Sequence, residues 1–234
     1  MPTPQSFKVP LNEWRILEPN SSKEMLWINE TVPDIMVQRF ALKAPDDLPA
    51  DYPDIHSQRA MFETMITQAD GAVVSVDFLT VKGIEAFQTI FKFRMPSNAL
   101  GKRYLGTLMF PFENFFCGFS FQCDEYGTTG IRESIAYVSE TRGKKPEHDP
   151  NAPPPTILNS MEEFFDRVKQ SPVVRLPSDD EKYDAALPRH PLSRTRQYLK
   201  KIAETIEFDE EVRNAKPYRG IQKRSGNMNF RNTL

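Results

Sequence analysis

The stretch CDEYGTTGIRES, residues 123–134, holds the densest group of side chains that could do chemistry. Glu125, Thr128, Thr129, Arg132 and Glu133 crowd together there, and Gly127 and Gly130 let the backbone turn between them. Three readings fit. It is a polar turn in which a threonine caps the next element. It is a patch that recognises a partner or an anion, with free N–H groups at a helix start and Arg132 beside them. Or Glu125 and Glu133 form an acid–base pair, a reading that lacks any histidine or third polar partner within the stretch.

Elsewhere the sequence declines most reaction chemistries. Its three histidines, His56, His148 and His190, form no H-E-x-x-H and no pair at metal-ligand spacing, and there is no C-x-x-C. The nearest imitation of a serine-hydrolase elbow, Gly118-Phe-Ser120-Phe-Gln122, lacks the second glycine and lies in a strand pattern. Neither a Walker A loop nor G-x-G-x-x-G is present. The expectation is a protein with no catalytic residues, no metal and no cofactor.

The elements that must position these residues are legible from period and punctuation. The chain has 234 residues, 39% hydrophobic and including 17 Phe, enough for a sizeable core. IMVQRFALK (35–43) reads as a strand. The three prolines of APDDLPADYPD then make a loop. Asp54 looks like an N-cap for a helix over 54–70, with Ile55, Phe62, Met65, Ile66 and Ala69 on one face and Gly71 as its C-terminal glycine.

AVVSVDFL (72–79), AFQTIFKFRM (86–95), YLGTLMF (104–110) and 115–124 then alternate as strands. Their connections are too short for parallel crossovers, so 72–124 is expected to be a four-stranded antiparallel meander. In its last strand Phe115, Cys117, Phe119, Phe121 and Cys123 share one face. Six residues of extended chain separate the cysteines by roughly 20 Å, far beyond disulfide reach, so both are read as buried thiols.

IRESIAYV fits a helix through Ile131, Ile135 and Val138, and fits a strand almost as well. Residues 141–157 form a Pro-rich excursion. SMEEFFDRVKQ is a helix with Ser160 as cap and Met161, Phe164, Phe165 and Val168 as its stripe. A helix over about 193–206 follows in HPLSRTRQYLKKIAETIEF, with Ser193 as cap, Leu199, Ile202 and Ile206 buried, and a short strand through Phe208. The domain reading is an irregular arm (1–24), one α+β domain (25–211) and a basic flexible tail (212–234).

Together PDDLPADYPDI, the helix after it, YLGTLMFPF, FQCDEYGTTGIRE and HPLSRTRQYLKKIAETIEF resemble the Mog1/PsbP-like fold group. Within it they resemble uncharacterised bacterial proteins with the pattern Y-x-G-x-L-x-x-P-F … E-x-G-T-T-G-x-R-E. The likeness covers roughly 25–140 and 188–210. It implies an antiparallel sheet sandwiched by helices, with a final strand after the late helix. It also implies a non-enzymatic binding protein, since the group includes a Ran-GTPase partner, photosystem assembly subunits and bacterial proteins encoded near secretion systems.

The net charge is −2, but six cations and no acid follow Val212, leaving about −8 on residues 1–211. Such a body suits a basic protein partner. The tail offers nucleic acid at most a nonspecific contact. No basic-then-apolar leader and no membrane-length apolar run occur, so no membrane insertion and a cytoplasmic setting are expected. The functional expectation is therefore a binder of another protein, with an adaptor, chaperone-like, or toxin-neutralising (immunity) role and a link to secretion. Its binding residues would be Glu125, Thr128, Thr129, Arg132 and Glu133. The alternative is a small-molecule or anion-binding protein, or a hydrolase, using the 124–133 turn.

Overall fold

The computed structural model describes residues 1–17, 23–43, 54–96, 98–142 and 161–219. The elements are β1 (Phe7–Lys8), β2 (Trp14–Ile16), β3 (Glu24–Asn29), β4 (Ile35–Ala41), α1 (Ile55–Gln68), β5 (Gly71–Val81), β6 (Ile84–Met95) and β7 (Asn98–Pro111). After these come β8 (Phe116–Asp124), α2 (Ile131–Thr141), α3 (Met161–Gln170), α4 (Pro191–Thr205), β9 (Glu207–Phe208) and α5 (Glu210–Arg213).

Seven strands form one antiparallel sheet in the order β2-β3-β4-β8-β7-β6-β5, so the expected α+β class and the meander hold. The β5–β6 hairpin turns on Lys82 and Gly83, both at positive φ (48° and 87°), the geometry whose twist matches the flanking strands.

The sheet is covered on both faces. On one, α1 lays Phe62 and Ile66 over Val73, Val76, Phe87 and Phe91. Asp54 caps α1 as expected, accepting from the amides of His56 and Ser57. The C-terminal turn differs from expectation: Asp70 (φ 53°) takes the left-handed position, and Gly71 already belongs to β5. A Cβ on Gly71 would lie 2.7 Å from the Phe93 ring and 2.8 Å from Ile66 Cγ2, so packing excludes a side chain there.

On the other face, α4 packs Leu192, Leu199 and Ile202 into a core with Met36, Ile90, Leu108, Phe119 and Phe121. Cys117 and Cys123 are free and fully buried on this face, and burial pushes the Cys117 thiol up to about 12. Gly106 lets α4 approach, because a Cβ there would collide with Thr195 Cγ2 and sit 2.9 Å from Leu199 Cδ1. The cap of α4 is His190, with Pro191 at the first helical position. Ser193, read as the cap, is instead buried inside the first turn.

Residues 1–24 include β1, which pairs with β9 through Phe7 and Phe208, and β2, which pairs with β3. Phe7 meets Phe40, Phe110, Phe112, Phe115 and Phe208 edge-on or tilted, closing the end of the core away from α2. In the 212–219 stretch the chain returns to the sheet: Phe112 bridges Pro217, and the Tyr218 amide donates to the Pro111 carbonyl at 3.3 Å. The Pro-rich run 143–157, Ser160 and residues 220–234 lie outside the described residues, as do the side chains of Met161, Phe164 and Phe165. No helix among the described residues is long and apolar enough to cross a membrane.

Candidate functional site

At the α2 end of the sheet the apolar face gives way to a polar row. Lys92 pairs across the strands with Tyr104, and Tyr104 with Cys123, so the three side chains share the face that α4 covers. All are at most 1% exposed. The Lys92 ammonium donates to Asp179 Oδ2 at 2.5 Å, and that carboxylate also accepts the Leu176 amide at 2.8 Å. Buried charges persist when paired and hydrogen-bonded in this way. Burial, reinforced by the Asp179, Glu133 and Glu125 carboxylates, pushes the Tyr104 phenol well above its ordinary range.

Arg132 belongs to this buried layer. It is 0% exposed. Its Nε donates to the Ser178 carbonyl, Nη1 to Ser193 Oγ at 2.9 Å, and Nη2 to the Asp180 carbonyl at 2.8 Å and Asp184 Oδ1 at 2.7 Å. Arg196 meets the same Asp184 carboxylate at 3.1 Å. At the other end of the row Arg194 grips Asp34 with two bonds of 2.7 and 2.8 Å, and Tyr198 adds its hydroxyl to Asp34 at 2.9 Å. These arginines tie the starts of α2 and α4, the 176–184 segment and the approach to β4 into one block.

Glu125 acts as the latch of the turn. It is 6% exposed; Oε2 accepts the Lys102 amide at 3.1 Å and Oε1 the Gly130 amide at 3.2 Å. Burial raises its pKa, and the two amide bonds work against that rise. His190 lies beside it, with Nε2 at 3.8 Å from Glu125 Oε1. Burial, then the neighbouring Arg132 and Arg194 charges, lowers the His190 pKa to about 3. The ring is therefore neutral at physiological pH.

The five sequence-selected residues divide. Thr128 is exposed and Thr129 half-buried on the turn, while Glu133 is half-buried with Oε2 enclosed and unpaired. Arg132 and Glu125 are not displayed. The Arg132 guanidinium, with this many enclosed acceptors, is a structural clamp, and Glu125 is 6% exposed with both oxygens accepting backbone amides.

The surface itself is built by the turn and α2. Arg132 and Ala136 face inward, so Ile131, Ile135 and Val138, spaced i, i+4 and i+7, face outward. Val138 is 61% and the neighbouring Tyr137 70% exposed. Tyr126, half-exposed, lies under the Arg194 guanidinium at 5.2 Å and extends the apolar strip onto the turn. Beside it a cleft of about 460 Å³ opens between Tyr126, Thr128 and Ile131 on one wall and Leu187, Pro188 and Arg189 on the other, with Glu125 and His190 also lining it.

Sequence reasoning missed Lys92, Asp179, Asp34, Arg194 and His190. One signal was available: in TIFKF the period of two puts Lys92 on the face of Ile90, and a cation on an apolar strand face needs a buried partner.

No family model matches the chain, and no curated protein matches it. Among solved structures it is similar to the Ran-binding protein Mog1p of Saccharomyces cerevisiae, with 12% identity over 55% of this chain and 75% of that one, at a TM-score of 0.36. It is also similar to cyanobacterial PsbP from Synechocystis, with 8% identity over 58% and 86% of the two chains and the same TM-score of 0.36. Neither likeness assigns a residue of this site.

Proposed function

We propose that the protein acts by binding another protein through the outward face of α2 and the adjoining turn. The observation that carries this reading is the apolar strip of Ile131, Ile135 and Val138, continued onto the turn by Tyr126, which stands in solvent beside a helix whose inner side is clamped by Arg132, with the exposed Tyr137 flanking it. Contiguous exposed apolar surface of this kind marks interaction sites. Tyrosines at its edge are the side chains that interfaces favour. Thr128 and Thr129 border the strip, Glu125 and Arg132 hold the turn and helix that present it, and Glu133 lies half-buried beside them. An adaptor, a chaperone-like factor or a toxin-neutralising protein in the cytoplasm would each use such a face.

The test is co-purification of the full chain from cells that encode it, with the partner's stoichiometry measured. Ile135→Glu with Val138→Glu is expected to weaken capture at least about tenfold, since each charge must be desolvated at the interface. Leu42→Glu, exposed just beyond β4 at the opposite end of the sheet, is expected to leave capture unchanged. Equal behaviour of the two variants, with thermal melts showing both folded, would remove the reading.

A further inference from the structure

We infer that the partner presents an acidic amphipathic helix, laid lengthwise along the outward face of α2; this rests on the protein-binding reading above. Ile131, Ile135, Val138 and Arg142 stand at i, i+4, i+7 and i+11, one line down the helix to its C-cap, and all four are exposed. Alternating steps of four and three are the seam by which one helix packs along another. The line runs for roughly 16 Å, about three turns, a length that a second helix can follow. Ser134 and Ser139, both exposed, border it with small side chains and let that helix come close.

The charge of the partner follows from the two ends of the line. Arg142 closes one end, and Arg189 stands at the other, across the cleft that Ile131 lines. Both arginines are exposed, and among the described residues neither guanidinium makes an ion pair or a hydrogen bond. Arg142 suits the negative end of the α2 dipole, but Arg189 lies just before the start of α4, where the dipole disfavours a cation. The acids of α2 do not offset them. Glu133 and Glu140 fall on the side of the helix opposite the line, and Glu140 is taken by Lys182 and Tyr183.

A helix with carboxylates near both ends of its apolar stripe meets this pattern. The local charge therefore calls for an acidic partner, against the basic one that suits the overall charge of about −8 on residues 1–211. An anionic lipid surface, which also suits apolar and cationic side chains, fits less well. It would face the whole negative body, whereas a docked helix meets only charges within a screening length of about 8–10 Å.

The experiment is an NMR titration of the ¹⁵N-labelled full chain with a blocked, alanine-rich helix of about 16 residues, carrying leucines at i, i+4, i+7 and i+11 and glutamates beside the first and last of them. Its twin has lysine in place of each glutamate. Saturable shifts of the amides from Ile131 to Arg142 are expected with the acidic peptide, which should bind at least about fivefold tighter than its twin. Arg142→Glu with Arg189→Glu should reverse that order, an outcome that loosening of α2 alone does not produce. Twins that bind alike, or a charge-swapped chain that keeps the wild-type order, would overturn the inference, as would shifts with neither peptide. Phosphatidylserine vesicles are the parallel arm: co-sedimentation with them and no peptide shifts would make the strip a membrane face and also overturn it. These failures leave capture of the native partner untouched, whereas the protein-binding reading itself stands or falls on capture by the Ile135 and Val138 variants.

Discussion

Arg132 shows how the chemistry of one residue is decided by what surrounds it. On paper it sits between two threonines and a glutamate, ready for a phosphate. In the fold its guanidinium is consumed by two carbonyls, a serine hydroxyl and a carboxylate. Arg132→Ala would leave Asp184 and the 178–180 carbonyls facing a void, and the expected loss is about 3–5 kcal/mol in urea unfolding. Arg132→Lys should recover little of it, because an ammonium cannot reproduce the planar fork.

His190 makes a prediction of its own. Its folded pKa of about 3 lies below the ordinary 6.5, so in that window the unfolded chain binds a proton that the folded chain does not. Stability therefore falls as pH drops from 6.5 toward 3, by up to about 1.4 kcal/mol per pH unit. Glu125, with a raised pKa, works in the opposite direction, gaining stability as pH falls through its folded value. Urea melts of wild type and His190→Asn between about pH 7 and about pH 4.5 isolate the histidine; the wild type should lose more across the interval.

Among the elements, those whose residues alternate or recur against a buried surface were legible in the sequence. The meander is legible because Phe87, Phe91, Phe119 and Phe121 keep a strict period of two, and α1 because Phe62 and Ile66 recur at helical spacing behind a capping aspartate. Helix α2 stayed ambiguous for a physical reason: its apolar residues face solvent, so their spacing reports a surface and not a core. The sequence points to Ser193 as the cap of α4 because a serine before an apolar stripe looks like a cap, whereas His190 followed by Pro191 does that work by another route.

The polar row was illegible because its members are far apart in sequence and meet only through strand register and the 176–184 turns. Seating α4 depends on Gly106, which the sequence presents only as a small residue inside a strand. Gly106→Ala should cost about 1–3 kcal/mol by pushing Thr195 and Leu199 off the sheet. Thr195→Ser, which removes the clashing methyl and keeps the hydroxyl that donates to Pro191, should recover part of the loss in a double-mutant cycle.

For the whole molecule, the organising fact is that the two ends of the described chain finish the core. Phe7 and Phe208 meet across β1 and β9, and Lys8 reaches Asp209, 201 positions away, at 2.6 Å. Phe7→Ala should cost about 3–5 kcal/mol and expose Phe40, Phe110 and Phe115 together, measurable as lost amide-exchange protection at that end of β4 and β7. Bringing such distant residues together costs roughly 4 kcal/mol more chain entropy than closing a two-residue hairpin. During synthesis, β1 leaves the ribosome 201 residues before its partner. Until residue 208 emerges, the phenylalanines that Phe7 and Phe208 will cover stay open on the nascent chain, a period of some tens of seconds at ordinary elongation rates in which chaperones, or aggregation, can reach them.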